Sequence, residues 1–168
     1  MYSRIWLGLF SLLITACTAM TTPSDVFSNS TVLKDSYQST TLIESPAYYQ
    51  AQGVGGHRLS LQAKFNSVGN IAYSLQVQDS QASGWRFFDR AYDSNGKKLE
   101  FIDINHDVTL GITSETFAIN LPRSYLENAA TESINIKVFG ENGEKLILVP
   151  NHYVEGFLQK IDAYLESK

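Results

Sequence analysis

Two stretches in the middle of the chain alternate regularly between apolar and polar residues. Residues 59–65 read LSLQAKF and residues 71–77 read IAYSLQV, so apolar residues recur at every second position. A period of two residues is typical of a β-strand with one buried face and one solvated face. The connection at residues 67–70 reads SVGN, which suits a tight turn. We therefore predict two antiparallel strands joined by a hairpin.

Two Asn-Gly pairs, at residues 95–96 and 142–143, mark further hairpins. Asn-Gly is the strongest short-range signal for a hairpin turn. The strand 85–92 carries Phe87 beside Phe88, and apolar residues on both faces are typical of a central or covered strand. The strands predicted around the two pairs are residues 85–92 with 98–104, and residues 133–139 with 145–149.

A seventh strand and two helical segments complete the prediction. Residues 115–121 alternate again until Pro122, and residues 122–130 suit a short helical turn with proline in its first turn. The C-terminal segment, residues 151–166, has the period of a helix, and Asn151 is a fair N-cap. Its apolar residues fall on one stripe, namely Val154, Phe157, Leu158, Ile161 and Leu165.

These elements predict a mainly β domain over residues 47–168. Short antiparallel strands joined by tight turns favour an immunoglobulin-like β-sandwich of about seven strands, here followed by a C-terminal α-helix. The chain has no Cys-Trp-Cys pattern, so the prediction concerns architecture and not family membership. A lipocalin-like barrel is the alternative, and it would need about eight strands around a ligand cavity.

The segment at residues 17–46 has a different composition. Ser and Thr are abundant in it, and Pro23 and Pro46 interrupt it. This composition is typical of a flexible tether, which is our prediction for the whole segment. Apolar pairs such as Val32 and Leu33 leave open the alternative that part of it adds a strand or lies along the domain.

The first 16 residues have the layout of a secretory signal peptide. Arg4 is followed by an apolar run over residues 5–14 and then by small residues. The run is shorter than the roughly 20 residues that a helix needs to span a bilayer. We therefore expect cleavage and not a retained membrane helix.

The end of this segment points to a lipid anchor. Ile14, Thr15, Ala16 and Cys17 resemble the lipobox of bacterial lipoproteins. The resemblance implies cleavage before Cys17 and attachment of diacylglycerol and a further acyl chain, such as palmitate, to that cysteine. Because Thr18 stands where inner-membrane lipoproteins carry aspartate, the resemblance implies the outer membrane. An ordinary signal peptide, cut at a small-x-small site, is the alternative.

Composition excludes several other classes of protein. Cys17 is the single cysteine, so the mature domain can hold neither an internal disulfide nor a site built from several thiolates. Lys and Arg number 13 against 17 Asp and Glu, which gives a net charge of −4. An acidic chain without a basic run is a poor nucleic-acid ligand, so we predict no nucleic-acid partner.

The sequence offers little catalytic or metal-binding chemistry. The histidines, His57, His106 and His152, are far apart, and we expect them in loops or at element ends without a metal. Asp103, His106 and Ser114 would make a triad on paper, but no nucleophile-elbow motif surrounds the serine. We predict no catalytic residues, no metal and no cofactor.

Residues 84–92, which read GWRFFDRAY, are the most unusual stretch. Aromatic residues and arginine are enriched at the centres of protein interfaces. We predict a candidate binding surface formed by Arg86, Phe88, Arg90 and Tyr92. The alternative is a core strand in which Trp85 and Phe87 face inward and an arginine pairs with Asp89 or Glu100.

These predictions together suggest a functional class. We expect a lipid-anchored envelope protein, facing the periplasm from the outer membrane, that acts without catalysis by binding another envelope protein. The alternative is a periplasmic carrier of a small apolar ligand or lipid. The first would use an exposed edge or face of the sheet, and the second a cavity between sheets or under the C-terminal helix.

Overall fold

The computed structural model describes residues 21–51, 55–82 and 84–168, which form three helices and ten strands. The helices are α1 (Pro23–Asn29), α2 (Arg123–Glu132) and α3 (Asn151–Glu166). The strands are β1 (Thr31–Asp35), β2 (Thr40–Glu44), β3 (Tyr48–Ala51), β4 (Gly55–Phe65), β5 (Ile71–Gln81), β6 (Phe88–Asp93), β7 (Lys98–Thr109), β8 (Ile112–Asn120), β9 (Ile134–Gly140) and β10 (Gly143–Val149). The lipobox residues and the segment 1–20 lie outside the described residues.

All strands pair antiparallel in one curled sheet. The order is β1-β2-β4-β5-β8-β7-β6-β9-β10, and β3 pairs with the first half of β4. The predicted alternation sets the register, because Leu61 lies opposite Leu75 and Leu75 opposite Ile119. Side chains in this phase point to the inner face, and they are fully buried there.

Helix α3 packs its buried face into the core. Tyr153, Phe157 and Ile161 are fully buried and belong to the same hydrophobic cluster as the inner face of the sheet. Helices α1 and α2 both pack against α3. The predicted apolar stripe is confirmed for four of its five members, whereas Leu165 in the last turn stays exposed.

The tether prediction for residues 17–46 is wrong for residues 21–46. Helix α1 begins with a capping box, in which the hydroxyl of Thr22 accepts the Asp25 backbone N–H (3.2 Å) and the Asp25 carboxylate accepts that of Thr22 (3.1 Å). Val26 and Ile43 are fully buried. The stated alternative, in which this segment adds a strand to the domain, describes what is found.

The close contact between Gly156 in α3 and helix α1 shows how tightly the N-terminal segment packs on the domain. A β-carbon on Gly156 would lie 2.2 Å from the carbonyl oxygen of Pro23 and 2.8 Å from the β-carbon of Val26. Only glycine at this position of α3 lets the two helices approach so closely. The helix α1 is therefore a packed part of the domain.

The coarse prediction of a mainly β, antiparallel domain with a C-terminal helix is confirmed. All three predicted hairpins are present, and the helix 151–166 has the predicted bounds. The predicted turn at residues 122–130 is a full helix, α2. The strand count exceeds seven because β1, β2 and β3 lie outside the seven predicted strands. Among the described residues, no helix is long and apolar enough to span a membrane.

Candidate functional site

The segment Gly84–Phe87, here called the strap, lies between β5 and β6 and has no regular secondary structure. Two of its residues have left-handed backbone angles, with φ of +94° at Gly84 and +54° at Phe87. A positive φ is ordinary for glycine but strained for phenylalanine. The surrounding structure must therefore hold Phe87 in this conformation.

Two elements hold the strap from opposite sides. The buried carboxylate of Glu115 in β8 accepts the backbone N–H groups of Arg86 (2.5 Å) and Phe88 (3.0 Å). Asn142, in the β9–β10 turn, donates its backbone N–H to the Arg86 carbonyl (3.0 Å) and its side-chain amide to that of Trp85 (3.1 Å). The buried carboxylate of Glu115 and the β9–β10 turn thus both hold the backbone of the strap.

The strap presents aromatic rings at the surface. The ring centroids of Trp85 and Phe87 lie 6.3 Å apart, and those of Trp85 and His106 lie 5.3 Å apart. Phe87 is 43% exposed despite its size. The ring nitrogens of His106 lie 3.5 Å from the carboxylate of Asp103 and 3.7 Å from that of Glu115. The rings of the strap, His106 and the exposed carboxylate of Asp103 thus meet at one place on the surface, next to the buried carboxylate of Glu115.

The C-terminal part of β7, residues Asn105–Thr109, is here called the β7 edge. On one side it pairs in regular register with β8, from Asn105 opposite Thr116 to Thr109 opposite Ile112. On its other side, β6 reaches β7 only at Leu99 and Lys98. Among the described residues, no strand pairs with this second side.

Exposed apolar side chains recur in the strap, along β7 and in the turn that follows it. They lie on both faces of the β7–β8 hairpin, because Val108 lies opposite Thr113 and Ile112 lies opposite Thr109. The exposed members are Phe87, Ile102, Ile104, Val108, Leu110 and Ile112.

The turn between β7 and β8, here called the tip, has an unusual sequence for its geometry. Leu110 (φ +53°) and Gly111 (φ +79°) are both left-handed, as a type I′ hairpin turn requires. Asparagine or aspartate normally occupies the first of these positions because their short side chains tolerate the conformation. Leu110 is 98% exposed, so no core packing compensates for its strained backbone.

A buried polar cluster lies behind the strap. One carboxylate oxygen of Asp79 accepts hydrogen bonds from His57 Nδ1 (3.0 Å) and from the ammonium group of Lys145, and the other accepts from Gln81 Nε2 (3.2 Å). The side-chain carbonyl of Gln81 then accepts from Arg86 Nε (2.9 Å). A continuous hydrogen-bond chain therefore connects the interior to the strap.

The charges in this cluster are buried but paired. Desolvation raises the pKa of Asp79, but the hydrogen bonds from His57 and Lys145 outweigh it, so the pKa lies below its usual range. The Nε2 atom of His57 has no hydrogen-bond partner among the described residues. The side chains of His57 and Asp79 are 0% and 1% exposed, so a substrate cannot reach this pair. The cluster stabilises the fold and positions the strap.

Sequence reasoning missed Asp79, Glu115 and Lys145, although the sequence carries a signal for them. Each falls in the inward phase of an alternating strand, two or four residues from large apolar residues such as Val77 and Phe117. A charged residue at an inward position is buried, and burial of a charge requires a partner. Several such residues in one sheet predict a buried polar network.

The structure places the predicted binding-surface residues on different faces. Phe88 is buried and packs on Phe117, with centroids 5.4 Å apart, so including it in a surface was wrong. A bulge between Phe88 and Arg90 shifts the alternation by one residue. Arg90 and Tyr92 therefore lie on the outer face, whereas Arg86 bonds to the buried cluster.

The alternative for residues 84–92 is correct in one respect. Arg90 does pair with Asp89, at 2.8 Å. Trp85 and Phe87, however, do not belong to the buried core, because the strap leaves the sheet before β6 begins. Of the four predicted surface residues, only Arg90 and Tyr92 share a location, beside Phe139.

The structure also shows where the three histidines lie and whether Asp103, His106 and Ser114 could form a triad. His57 lies in the first residues of β4 and His152 in the first turn of α3, which agrees with their prediction at element ends, whereas His106 lies inside β7, so that prediction was wrong for His106. Ser114 lies opposite Asp107 in the register, whereas His106 lies opposite the neighbouring Glu115, so the serine and histidine occupy opposite faces of the β7–β8 hairpin. Within the described ranges, no group of three or more potential metal ligands comes together.

Comparisons with protein-family models, with curated proteins and with solved structures found no match to this chain.

Proposed function

We propose that this chain is a lipid-anchored protein of the bacterial cell envelope that binds another envelope protein and does not catalyse a reaction. The resemblance of Ile14, Thr15, Ala16 and Cys17 to a lipobox supports an anchor on Cys17, and Thr18 supports the outer membrane with the domain in the periplasm. The binding function rests on the strap, the β7 edge and the tip.

The single observation that carries the binding function is the conformation of Leu110. A large apolar residue at this turn position is unfavourable for folding and for solubility. Its side chain is 98% exposed, and Phe87 in the strap is 43% exposed as well. Residues that break the rules of folding without local compensation are most often functional. Burial of Leu110 against a partner would supply the missing compensation.

The proposal also covers the way in which the sheet divides into two layers. Only two residue pairs join β6 to β7, Ala91 with Leu99 and Tyr92 with Lys98. Past this junction, β7 and β8 separate from β6 and β9. We propose that the curled sheet acts there as two layers of an immunoglobulin-like sandwich, with the strap crossing between them.

The carrier of a small apolar ligand receives less support. Tyr153, Phe157 and Ile161 fill the space between α3 and the sheet and are at most 1% exposed. A ligand under this helix would have to displace core side chains. We therefore do not extend the proposal to a carrier.

Site-specific photocrosslinking in the native envelope tests the binding function. A photoreactive amino acid replaces Val108 in the β7 edge, and in the control it replaces Tyr37, which is fully exposed in the β1–β2 turn. We expect a discrete protein adduct from position 108 and not from position 37. Identical adduct patterns at the two positions, or no adduct at position 108, would contradict the proposal.

The anchor has its own test, which does not depend on the partner. In Cys17→Ala, lipid attachment and normal cleavage should both fail, so the precursor accumulates and carries no labelled fatty acid. Metabolic labelling with a fatty-acid analogue and membrane fractionation measure this. A variant that still matures normally and stays in the outer membrane would contradict the anchor.

A further inference from the structure

We propose that the partner adds a cationic β-strand to the β7 edge, residues Asn105–Thr109. This inference rests on the proposed function and gives the chemistry of the segment that binds. It follows from three features of the edge, namely its free backbone groups, its charge and the side chains beside it.

The backbone of the β7 edge is suited to strand addition. An unpaired edge presents a row of N–H and C=O groups that can pair with another strand. The register between Asn105 and Thr109 is regular, whereas a bulge interrupts β7 between Asp103 and Asn105. Among the described residues, the Val108 N–H bonds to no strand and donates instead to the carboxylate of its own neighbour Asp107, at 2.8 Å, a local contact that an added strand would replace. The five-residue segment beyond the bulge is therefore the part that an added strand would match.

The charge around the edge selects a cationic partner. Residues 99–122 contain four acidic residues, Glu100, Asp103, Asp107 and Glu115, and no lysine or arginine. The first three are exposed, whereas Glu115 is buried and accepts hydrogen bonds from the strap. The guanidinium of Arg86 in the strap bonds to the buried cluster through Gln81. Complementary charge across an interface increases the association rate and rejects partners of the wrong sign.

The same charge disfavours other occupants. A second copy of this chain, paired edge to edge, would bring the Asp107 side chains of two copies together, and like charges in neighbouring strands are destabilising. An anionic lipid surface attracts basic segments and repels acidic ones. A positively charged extended segment of another protein fits the edge better than either of these.

The two faces of the edge suggest how the added strand alternates. Val108 and His106 share the face that lies toward the strap, because they lie opposite the inward-facing Thr113 and Glu115 of β8. Asp107 lies on the other face. Directly opposed residues of antiparallel strands share a face. We therefore expect apolar residues opposite His106 and Val108 and a lysine or arginine opposite Asp107.

Selection from a library of random-sequence peptides tests this chemistry. The full-length protein in detergent is the bait, and the matched control is Asp103→Asn combined with Asp107→Asn. Wild-type bait should enrich peptides with positive net charge and alternating apolar residues, and higher ionic strength should weaken their binding. The double variant should bind the enriched peptides about tenfold more weakly, as expected for loss of close charge pairs at an interface.

Amide hydrogen exchange then tests the mode of binding. The most enriched peptide should slow exchange at those alternate residues of the β7 edge whose N–H groups are not bonded to β8, Val108 among them. Its backbone N-methylated analogue should neither bind nor protect. Three results would overturn the inference: no enrichment, enrichment of neutral or acidic peptides, or equal binding by the double variant. If Val108 crosslinks to a protein in the envelope while any of these holds, the proposed function stands and the cationic strand is wrong.

Discussion

Asp79 and Asp107 lie in the same sheet, and their surroundings differ in almost every respect. Asp79 is 1% exposed and accepts hydrogen bonds from His57, Lys145 and Gln81. Asp107 is exposed, and its carboxylate accepts only from the next two residues of its own strand among the contacts described. The first aspartate is required by the fold. The fold does not need a charge at the position of Asp107, where a neutral residue would serve equally well.

The hairpin turns repeat this contrast. The turns at Asn95-Gly96 and Asn142-Gly143 have the residues that their geometry favours, and the sequence predicted both hairpins. The tip has Leu110 where a short polar residue fits best. Folding accounts for the residues in the interior and in the ordinary turns. At the tip and the β7 edge it does not, and binding is our explanation there.

The largest effect is expected from Asp79→Asn. The variant leaves the buried Lys145 without its counter-ion, and breaking a buried ion pair in this way costs about 3–5 kcal/mol of unfolding free energy. Urea denaturation measures the loss. The matched control, Asp107→Asn, should change stability by no more than about 0.5 kcal/mol, because the site is exposed. Equal losses of unfolding free energy in the two variants would contradict the claim that the fold depends on Asp79 and not on Asp107.

A second prediction concerns the N-terminal segment. Gly156→Val should cost about 1–3 kcal/mol, because its side chain would overlap α1 at Pro23 and force the two helices apart. Ala163→Val, at an exposed position of the same helix, is the control and should cost only about 0.5 kcal/mol from lower helix propensity. Thermal unfolding compares the two. If they lose the same stability, α1 does not pack on α3 as described.

The acid dependence of stability separates Asp79 from the exposed acids. Because the pKa of Asp79 is lowered in the folded state, its contribution is fully present above about pH 4, the range of an unperturbed aspartate. The contribution is lost as the pH falls through the lowered folded-state pKa. The stability difference between wild type and Asp79→Asn should therefore shrink from pH 5 toward pH 2, as measured by urea denaturation in that range. A difference that stays constant would mean that Asp79 is not ionised in the fold.

The sequence predicted the parts of the fold in which one local pattern decides the structure. Residues 59–65 and 71–77 alternate and are strands, and the apolar stripe of α3 is buried in all but its last member. Residues 31–44 were predicted as part of a tether because Ser and Thr are typical of tethers, although Thr is also common in strands. The pairing of residues 41–44 with residues 62–65 makes this segment part of the sheet, and a single sequence does not show a pairing so distant.

The candidate site was harder to predict because it depends on breaks in the pattern. The bulge after Phe88 moves Arg90 to the outer face, and alternation alone gives no sign of it. The strand β7 was predicted to end at residue 104, but it continues to Thr109 despite its exposed residues. Leu110-Gly111 is not a usual turn signal, so the sequence did not predict a hairpin turn at the tip. The buried network was the exception, since its charged residues fall in inward phase and could have been found.

The central claim, that Leu110 serves binding and not folding, is tested most directly by Leu110→Asn. Asparagine tolerates the left-handed conformation, so the variant should gain about 1 kcal/mol, or about 3 °C in melting temperature. Val68→Asn is the control, since it removes an exposed apolar turn residue whose φ is not positive, and its stability should stay unchanged.

Both variants also carry the photoreactive residue at position 108, so that stability and binding are measured together. We predict that Leu110→Asn melts at a higher temperature and loses the protein adduct, whereas Val68→Asn keeps it. A Leu110→Asn protein that is less stable than wild type, or one that keeps the full adduct yield, would contradict the account.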